Sequence, residues 1–294
     1  MSPGAEPLKR LATLPFAAAS GLVAAHGALW VIADDGLQLQ QLDLQGASLA
    51  SHALFPGRAA LPLDAKARKK AKPDLEALCL LPDGRLLALG SGSRRQRQLG
   101  SLFDPASGLA QRIDAAALYD ALEQTLPALN IEGACFQGDS LLLAHRGNSE
   151  GASDALIRLD ARSALAELAG GRLTAHSLRG QQRLQLGLLD GERLTVTDLA
   201  LDEGGQLWFS AAAEATRDRF DDGACAGSVL GQLAANGVPL QQWRLPGRQK
   251  IEGLALRAAD AGHWHWWLVA DADDPQVHSP LWGLQLPRAA PRPT

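Results

Sequence analysis

A short phrase returns five times along this chain and leaves little choice of architecture. It reads Ala19-Ser20-Gly21-Leu22-Val23, Leu75-Glu76-Ala77-Leu78-Cys79, Ile131-Glu132-Gly133-Ala134-Cys135, Val196-Thr197-Asp198-Leu199-Ala200 and Ile251-Glu252-Gly253-Leu254-Ala255. Counted from its second residue, successive copies stand 56, 56, 65 and 55 residues apart. A steady period of this size marks a repeat fold in which each unit is one supersecondary motif. Each phrase opens an apolar β-type run, and in three units Pro82-Asp83-Gly84, Gln137-Gly138-Asp139 or Asp202-Glu203-Gly204-Gly205 turns the chain into a second run. Third runs follow at Leu37–Leu42, Leu99–Phe103, Ala155–Leu159, Ser228–Leu233 and Leu281–Leu286. Fourth runs read at Ser48–Leu54, Leu173–Leu178 and Pro239–Leu245, with a less distinct one in the second unit. Four antiparallel strands per unit is the pattern of a propeller blade.

The two ends of the chain together supply about one more period, with 19 residues before Ser20 and 42 after Glu252. The last unit shows only three runs, and Leu8–Phe16 is expected to serve as its outer strand, which removes the open edges of a linear array. The expectation is an all-β, five-bladed propeller forming a single domain over residues 1–294. Period-two alternation assigns Gly21, Ala77, Gly133, Asp198 and Gly253 to the crowded axis, and Leu22, Leu78, Ala134, Leu199 and Leu254 to the layers between blades. In His263-Trp264-His265-Trp266-Trp267, alternation sends Trp264 and Trp266 one way and His263, His265 and Trp267 the other, as expected of packing between blades.

A net charge of −4 provides no global basic field for nucleic acid. Three cysteines make neither a disulfide framework nor zinc spacing; Cys79 and Cys135 occupy equivalent inner-strand positions and read as small buried groups. The apolar stretch after Lys9-Arg10 is interrupted by Pro15, Ser20, Gly21, His26 and Gly27 and runs in phase with the first blade, so it is read as blade and not as a membrane span. The expectation is a cytoplasmic monomer without membrane contact, with a secretory leader left open.

Propeller geometry converts position into place. The inner strand starts at one face of the disc and the second strand returns to it, so the phrase starts and the second-strand ends share one mouth. The phrase starts bring Ser20, Glu76, Glu132, Thr197 and Glu252. The second-strand ends bring Asp34 and Asp35, Ser91 to Arg95, His145 to Asn148, Glu214 with Asp221 and Asp222, and Asp271 with Asp273 and Asp274. Three glutamates near one axis repel each other and lose water, so a proton, a paired cation or a metal must compensate. Calcium or another divalent cation suits an oxygen-rich ring of Glu76, Glu132 and Glu252, completed by Ser20, Thr197 and Asp198. Two alternatives stay open: Arg94, Arg95 or Arg146 pairs the glutamates, or each glutamate caps amides of a neighbouring blade. Lys66, Arg68, Lys69, Lys70 and Lys72 are expected on a solvated loop at the same mouth, where they would also suit an anionic ligand. The chain carries no G-x-S-x-G, H-E-x-x-H, Walker or G-x-G-x-x-G motif.

Ile131-Glu132-Gly133, Ile251-Glu252-Gly253-Leu254, Asp74-Leu75-Glu76-Ala77-Leu78 and Thr197-Asp198-Leu199 resemble bacterial phytase-like (esterase-like) β-propellers. The likeness is closer to a bacterial family of uncharacterised propellers, whose recurring pieces resemble Ser20-Gly21, Gly90-Ser91-Gly92-Ser93, His145-Arg146-Gly147-Asn148 and Asp271-Ala272-Asp273-Asp274-Pro275. The resemblance implies a divalent metal in the channel and hydrolysis of an ester, phosphoester or lactone. With Ser20 and Thr197 at two inner-strand positions, the full ring of acids is absent.

The function expected first is therefore a small-ligand-binding propeller. Its contacts would be Ser20, Asp35, Arg94, Arg95, Arg146, Asn148, Asp271, Asp273 and Asp274, and its metal ligands Glu76, Glu132, Glu252 and Asp198. The alternative is a metal-dependent hydrolase with His145 or Asp34 as general base and Arg94, Arg95 and Arg146 on an anionic group. A protein- or glycan-interaction module without catalysis is the second alternative.

Overall fold

The computed structural model describes residues 6–149, 151–214 and 225–288. Setting aside the first strand, β1 (Lys9–Thr13), the chain lays down one sheet after another in sequence order. Blade one is β2 (Ala19–Ala25), β3 (Ala28–Ala33), β4 (Gln38–Leu42) and β5 (Ser48–Ala53). Blade two is β6 (Leu75–Leu80), β7 (Leu86–Gly90), β8 (Leu99–Asp104) and β9 (Leu109–Asp114). Blade three is β10 (Ile131–Gln137), β11 (Ser140–His145), β12 (Ala155–Asp160) and β13 (Leu178–Arg183). Blade four joins a short β14 (Leu188–Leu189) to β15 (Glu192–Leu201), β16 (Leu207–Glu214), β17 (Cys225–Leu233) and β18 (Pro239–Arg244). Blade five is β19 (Lys250–Ala259), β20 (His263–Asp271) and β21 (Pro280–Pro287), closed by β1 antiparallel to β21.

The inner strands form the ring: β2 packs on β6, β6 on β10, β10 on β15, β15 on β19, and β19 back on β2. This is the five-bladed propeller expected from the period, including its closure by the N-terminal strand. Helix α3 (Ala161–Ala169), nine residues long, is inserted after β12, with the Asp160 side chain capping the backbone N–H of Ser163 at 2.9 Å. The outer strand of blade three consequently starts at Leu178, and the run expected there from Leu173 is instead a loop and a one-turn 3-10 segment, with Leu173 N–H donating to Asp114 of blade two. The basic run is likewise a short helix, α1 (Ala65–Ala71), started by Asp64, and α2 (Ala116–Glu123) links blades two and three.

The alternation within the phrase needs correction. All five inner strands shift register at the phrase's second residue, between Ala19 and Gly21, Leu75 and Ala77, Ile131 and Gly133, Val196 and Asp198, and Ile251 and Gly253. A β-bulge at the same place in every blade re-aims that one side chain. Beyond it, both faces of the strand pack between blades: Leu22 joins Val31 and Val269 toward blade five, and Val23 packs against Trp30, Ile32 and Leu78 toward blade two. The small third residue is needed for blade-to-blade approach, since a Cβ on Gly133 would lie 2.8 Å from the Asp198 Cα. Trp264 and Trp266 pack between blades four and five as expected, each with its ring centroid 4.8 Å from that of Trp208, which stacks on Trp243.

Gly133→Ala is expected to destabilise the protein by about 1–3 kcal/mol, because the added methyl meets backbone that cannot swing away. Gly180→Ala, which meets nothing within 4 Å, should be close to neutral. Denaturant midpoints of the two variants at unchanged slope check this pair.

Candidate functional site

Two backbone features deliver polar groups to the mouth. The bulge turns the side chains of Ser20, Glu76, Glu132, Thr197 and Glu252 out of the regular alternation at the same place in each inner strand. In blades one to three, a hydrogen bond from the second strand's end returns to the residue two positions before the bulge: Asp34 N–H to Ala18, Ser91 N–H to Asp74, and Arg146 N–H to Asn130. The bulged positions then divide by chemistry. The Ser20 hydroxyl donates to the Leu75 carbonyl at 2.6 Å and Thr197 to the Ile251 carbonyl at 2.7 Å, each stitching its blade to the next. The three glutamates instead line a cavity of about 380 Å³ formed by blades five, one, two and three.

Arg146 organises one half of this cavity. Its guanidinium is buried, lies 3.6 Å from Glu132 and 4.0 Å from Glu252, hydrogen-bonds Glu214, and donates to the Thr195 hydroxyl at 3.0 Å. Lys250 supplies a second charge, 3.0 Å from Glu252, 3.4 Å from Glu214 and 3.2 Å from Asp273. Burial would raise the Glu214 pKa, but Arg146 and Lys250 hold it below its ordinary value. Glu132 has a weaker share of Arg146: burial pushes it up to about 8, and the Asn130 amide donates to its carboxyl. Burial also raises Glu252, whose Oε2 has no hydrogen-bond partner among the described residues.

The other half is built on Asp74, whose left-handed backbone (φ 56°) lies just ahead of β6. Its carboxylate accepts from Ser91 at 2.6 Å and from Arg97 at 2.6 Å and pairs with Lys72 at 2.8 Å; Lys72 also holds Asp34. Carboxyl oxygens of Asp34, Asp74 and Glu76 all fall within 4.8 Å of one another. Burial first, then Asp74 and Glu132, lifts Glu76 well above the carboxylate range, and among the described residues it has no hydrogen-bond or ion-pair partner. Burial and Asp273 push Asp271, in the same cavity, up to about 7.

Of the ligand contacts expected from sequence, Ser20, Arg94, Arg146, Asn148, Asp271 and Asp273 line this cavity. Others lie elsewhere. Asp35 pairs with Arg68 at 2.9 Å, exposed Arg95 pairs with Asp120 at 3.3 Å on the flank of blade two, and Asp274 accepts the Gln276 N–H in its own turn. His145 is buried outside the lining; its Nδ1 accepts the Asn130 N–H at 3.1 Å, and burial lowers its pKa to about 4. Asp198 lies outside the cavity lining, and its carboxylate accepts the N–H groups of Leu199 at 2.8 Å and of Leu254, in blade five, at 3.0 Å. Asp221 and Asp222 lie outside the described residues. The expected ring of Glu76, Glu132 and Glu252 around one ion is therefore divided, with Arg146 and Lys250 compensating the last two.

The residues that reading the sequence did not single out, Asp74, Asn130, Thr195 and Lys250, share one place in the repeat, two positions before the bulge. All are polar, where blade one has Ala18. Aligning the copies two residues further upstream would have shown the signal.

Fold and site together define a five-bladed propeller with a charged, carboxyl-rich channel mouth. The chain belongs to a family of unknown function (DUF6929), which it matches over residues 15–286. No curated protein sequence matches it. Among solved structures it is similar to Myxococcus xanthus glutaminyl cyclase, with a TM-score of 0.54 at 14% identity over 97% of this chain and 100% of that one. It is also similar to the calcium-binding protein regucalcin from Agrobacterium tumefaciens, with a TM-score of 0.50 at 15% identity over 96% of this chain and 95% of that one. At such identities the likeness is one of fold. Among the described residues, no helix is long and apolar enough to cross a membrane.

A raised carboxyl makes stability depend on pH in a defined sense. Glu132 in the fold keeps its proton to about pH 8, whereas its ordinary pKa is 4.5, so its contribution is complete below 4.5 and is lost as pH rises to 8. Glu132→Gln should therefore gain stability relative to the parent as pH rises through that window, and chemical unfolding across pH measures it.

Proposed function

We propose that the mouth is a small-ligand site whose floor takes a divalent cation of the calcium type, held by Asp34, Asp74 and Glu76. The observation that carries this reading is the convergence of those three carboxyls around a glutamate without a partner among the described residues. The crowding of acids supports it: among the described residues Asp34, Asp74, Glu76, Glu132, Glu214, Glu252, Asp271 and Asp273 meet here, and burial favours the protonated form of Glu76 and Glu132, protons that a divalent cation would replace. Hard oxygen donors of this kind suit calcium, and the Lys72 ammonium, now between Asp34 and Asp74, marks where positive charge is favoured. An anionic ligand of the kind expected from sequence would enter with its counter-cation. A concave cavity of about 380 Å³ suits a small molecule better than a docked protein.

Hydrolysis of an ester, phosphoester or lactone, as in the phytase-like propellers the sequence resembles, is a second reading favoured by one feature. Asp271 faces the same cavity with a pKa of about 7, the range suited to a general base at neutral pH. A divalent cation bound at the floor would supply the charge that polarises the ligand's carbonyl or phosphoryl oxygen.

Thermal unfolding in chelator and in calcium tests the proposal. At a hundredfold excess over Kd, calcium should stabilise by about 2.7 kcal/mol, read as a clear rise in Tm. Glu76→Gln should abolish the rise, and Lys72→Met, which removes the competing ammonium, should bring it on at lower calcium. No rise in the parent, or an equal rise in Glu76→Gln, would overturn the reading.

A further inference from the structure

The hairpin that carries Glu252 at the mouth has its turn at the opposite face of the disc. Asp260 lies eight positions beyond Glu252 along mostly extended strand, roughly 25 Å at the usual rise. In that turn the Asp260 Oδ1 accepts the N–H groups of Gly262 at 2.7 Å and His263 at 2.8 Å, which fixes the carboxylate beside the start of β20. His263 and His265, two residues apart, project from the same face of β20. Both rings meet Asp260: His265 Nε2 lies 2.8 Å from Oδ2 and His263 Nδ1 lies 3.8 Å from Oδ1, with ring centroids 6.3 Å apart.

We propose that Asp260, His263 and His265 form a binding site for a divalent transition metal of the zinc type, separate from the mouth and independent of its function. Two imidazole nitrogens and a carboxylate oxygen are the donor set such ions prefer and calcium does not. Metal–ligand bonds of about 2.0–2.1 Å place neighbouring tetrahedral donors about 3.3 Å apart. The two contacts run to different oxygens of Asp260, Oδ2 at 2.8 Å and Oδ1 at 3.8 Å, so the three residues are neighbours whose donors have still to converge on one ion. The His263 ring must turn toward His265 to complete the set, and with its side chain 41% exposed it turns through water and not through packed core. Three protein ligands leave the fourth position to water.

The neighbouring side chains are compatible with a cation. The Gln285 side chain meets His265 Nδ1 at 3.1 Å. With Nε2 on the metal, the imidazole proton sits on Nδ1, and the Gln285 amide, turned over, accepts it through its oxygen, the outer contact that fixes a metal-bound histidine. Arg288, which donates to the Asp260 carbonyl at 3.1 Å, is paired with Glu203 at 2.8 Å and lies over the Trp264 ring, so its charge is already met. The competing explanation is that Asp260 and His265 merely tie off the hairpin.

Zinc titration by calorimetry on the untagged full-length chain, with cobalt substitution followed by visible absorption, separates the two. The site predicts a single zinc equivalent, a tetrahedral cobalt spectrum, and affinity reduced at least about tenfold in His265→Gln and in His263→Gln, with a loss of about tenfold or more in Gln285→Leu. Glu76→Gln and excess calcium should leave zinc binding unchanged, which keeps this result apart from the fate of the mouth. Absence of zinc binding in the parent, or undiminished binding in a folded His263→Gln/His265→Gln double variant, would overturn the proposal.

Discussion

The guanidinium of Arg146 stands among carboxyls that three blades deliver to one end of the channel, and the mouth depends on that placement. Removing charged groups from water costs several kcal/mol each unless partners replace the solvent. Arg146 and Lys250 replace it for Glu132, Glu214 and Glu252, with Thr195 and Asn130 taking up remaining hydrogen bonds. Because one guanidinium is shared, the compensation is uneven: Glu214 is held ionised while Glu132 keeps its proton to about pH 8.

That network can exist because the backbone is bent in the same way five times. A bulge at the phrase's second residue turns one side chain out of each inner strand, and the chain spends those positions on two different tasks. Ser20 and Thr197 donate to the next blade's carbonyl and lock adjacent strands together. Glu76, Glu132 and Glu252 remain for the cavity. Asp198 extends the first task, standing where other blades have glycine or alanine and accepting an amide from blade five. Rigid stitching on some blades and open chemistry on others is how a symmetric scaffold acquires an asymmetric site.

The asymmetry also locates the functional pressure. Among the described residues, the half of the mouth under Arg146 is close to satisfied, apart from one oxygen each of Glu214 and Glu252. The half under Asp74 concentrates three carboxyls against Lys72 and Arg97, and half-buried Glu76 has only the charge of Lys72 to offset its loss of water and the repulsion of Asp74 and Glu132. A half-buried acid without a close partner costs stability, and such costs persist where a ligand or proton relieves them.

Blade number, strand order, closure by the N-terminal strand and the face that carries the polar groups were all legible in the sequence, because a period of 56 residues and turn residues between apolar runs are local signals. The glutamates were legible for the same reason. Which of them would be paired was not, since Arg146 reaches Glu214 and Glu252 across 68 and 106 positions of chain and only ring closure sets that distance. Nor was the bulge, which shifts alternation by one residue without changing any residue type. The same holds for Asp198, an acid by composition and a blade-to-blade hydrogen-bond acceptor by position. The sequence by itself determined the repeat and the end of the channel where charge collects. Tertiary structure alone decided which charges cancel, because electrostatic compensation depends on distances of a few ångströms between residues that the chain order keeps far apart.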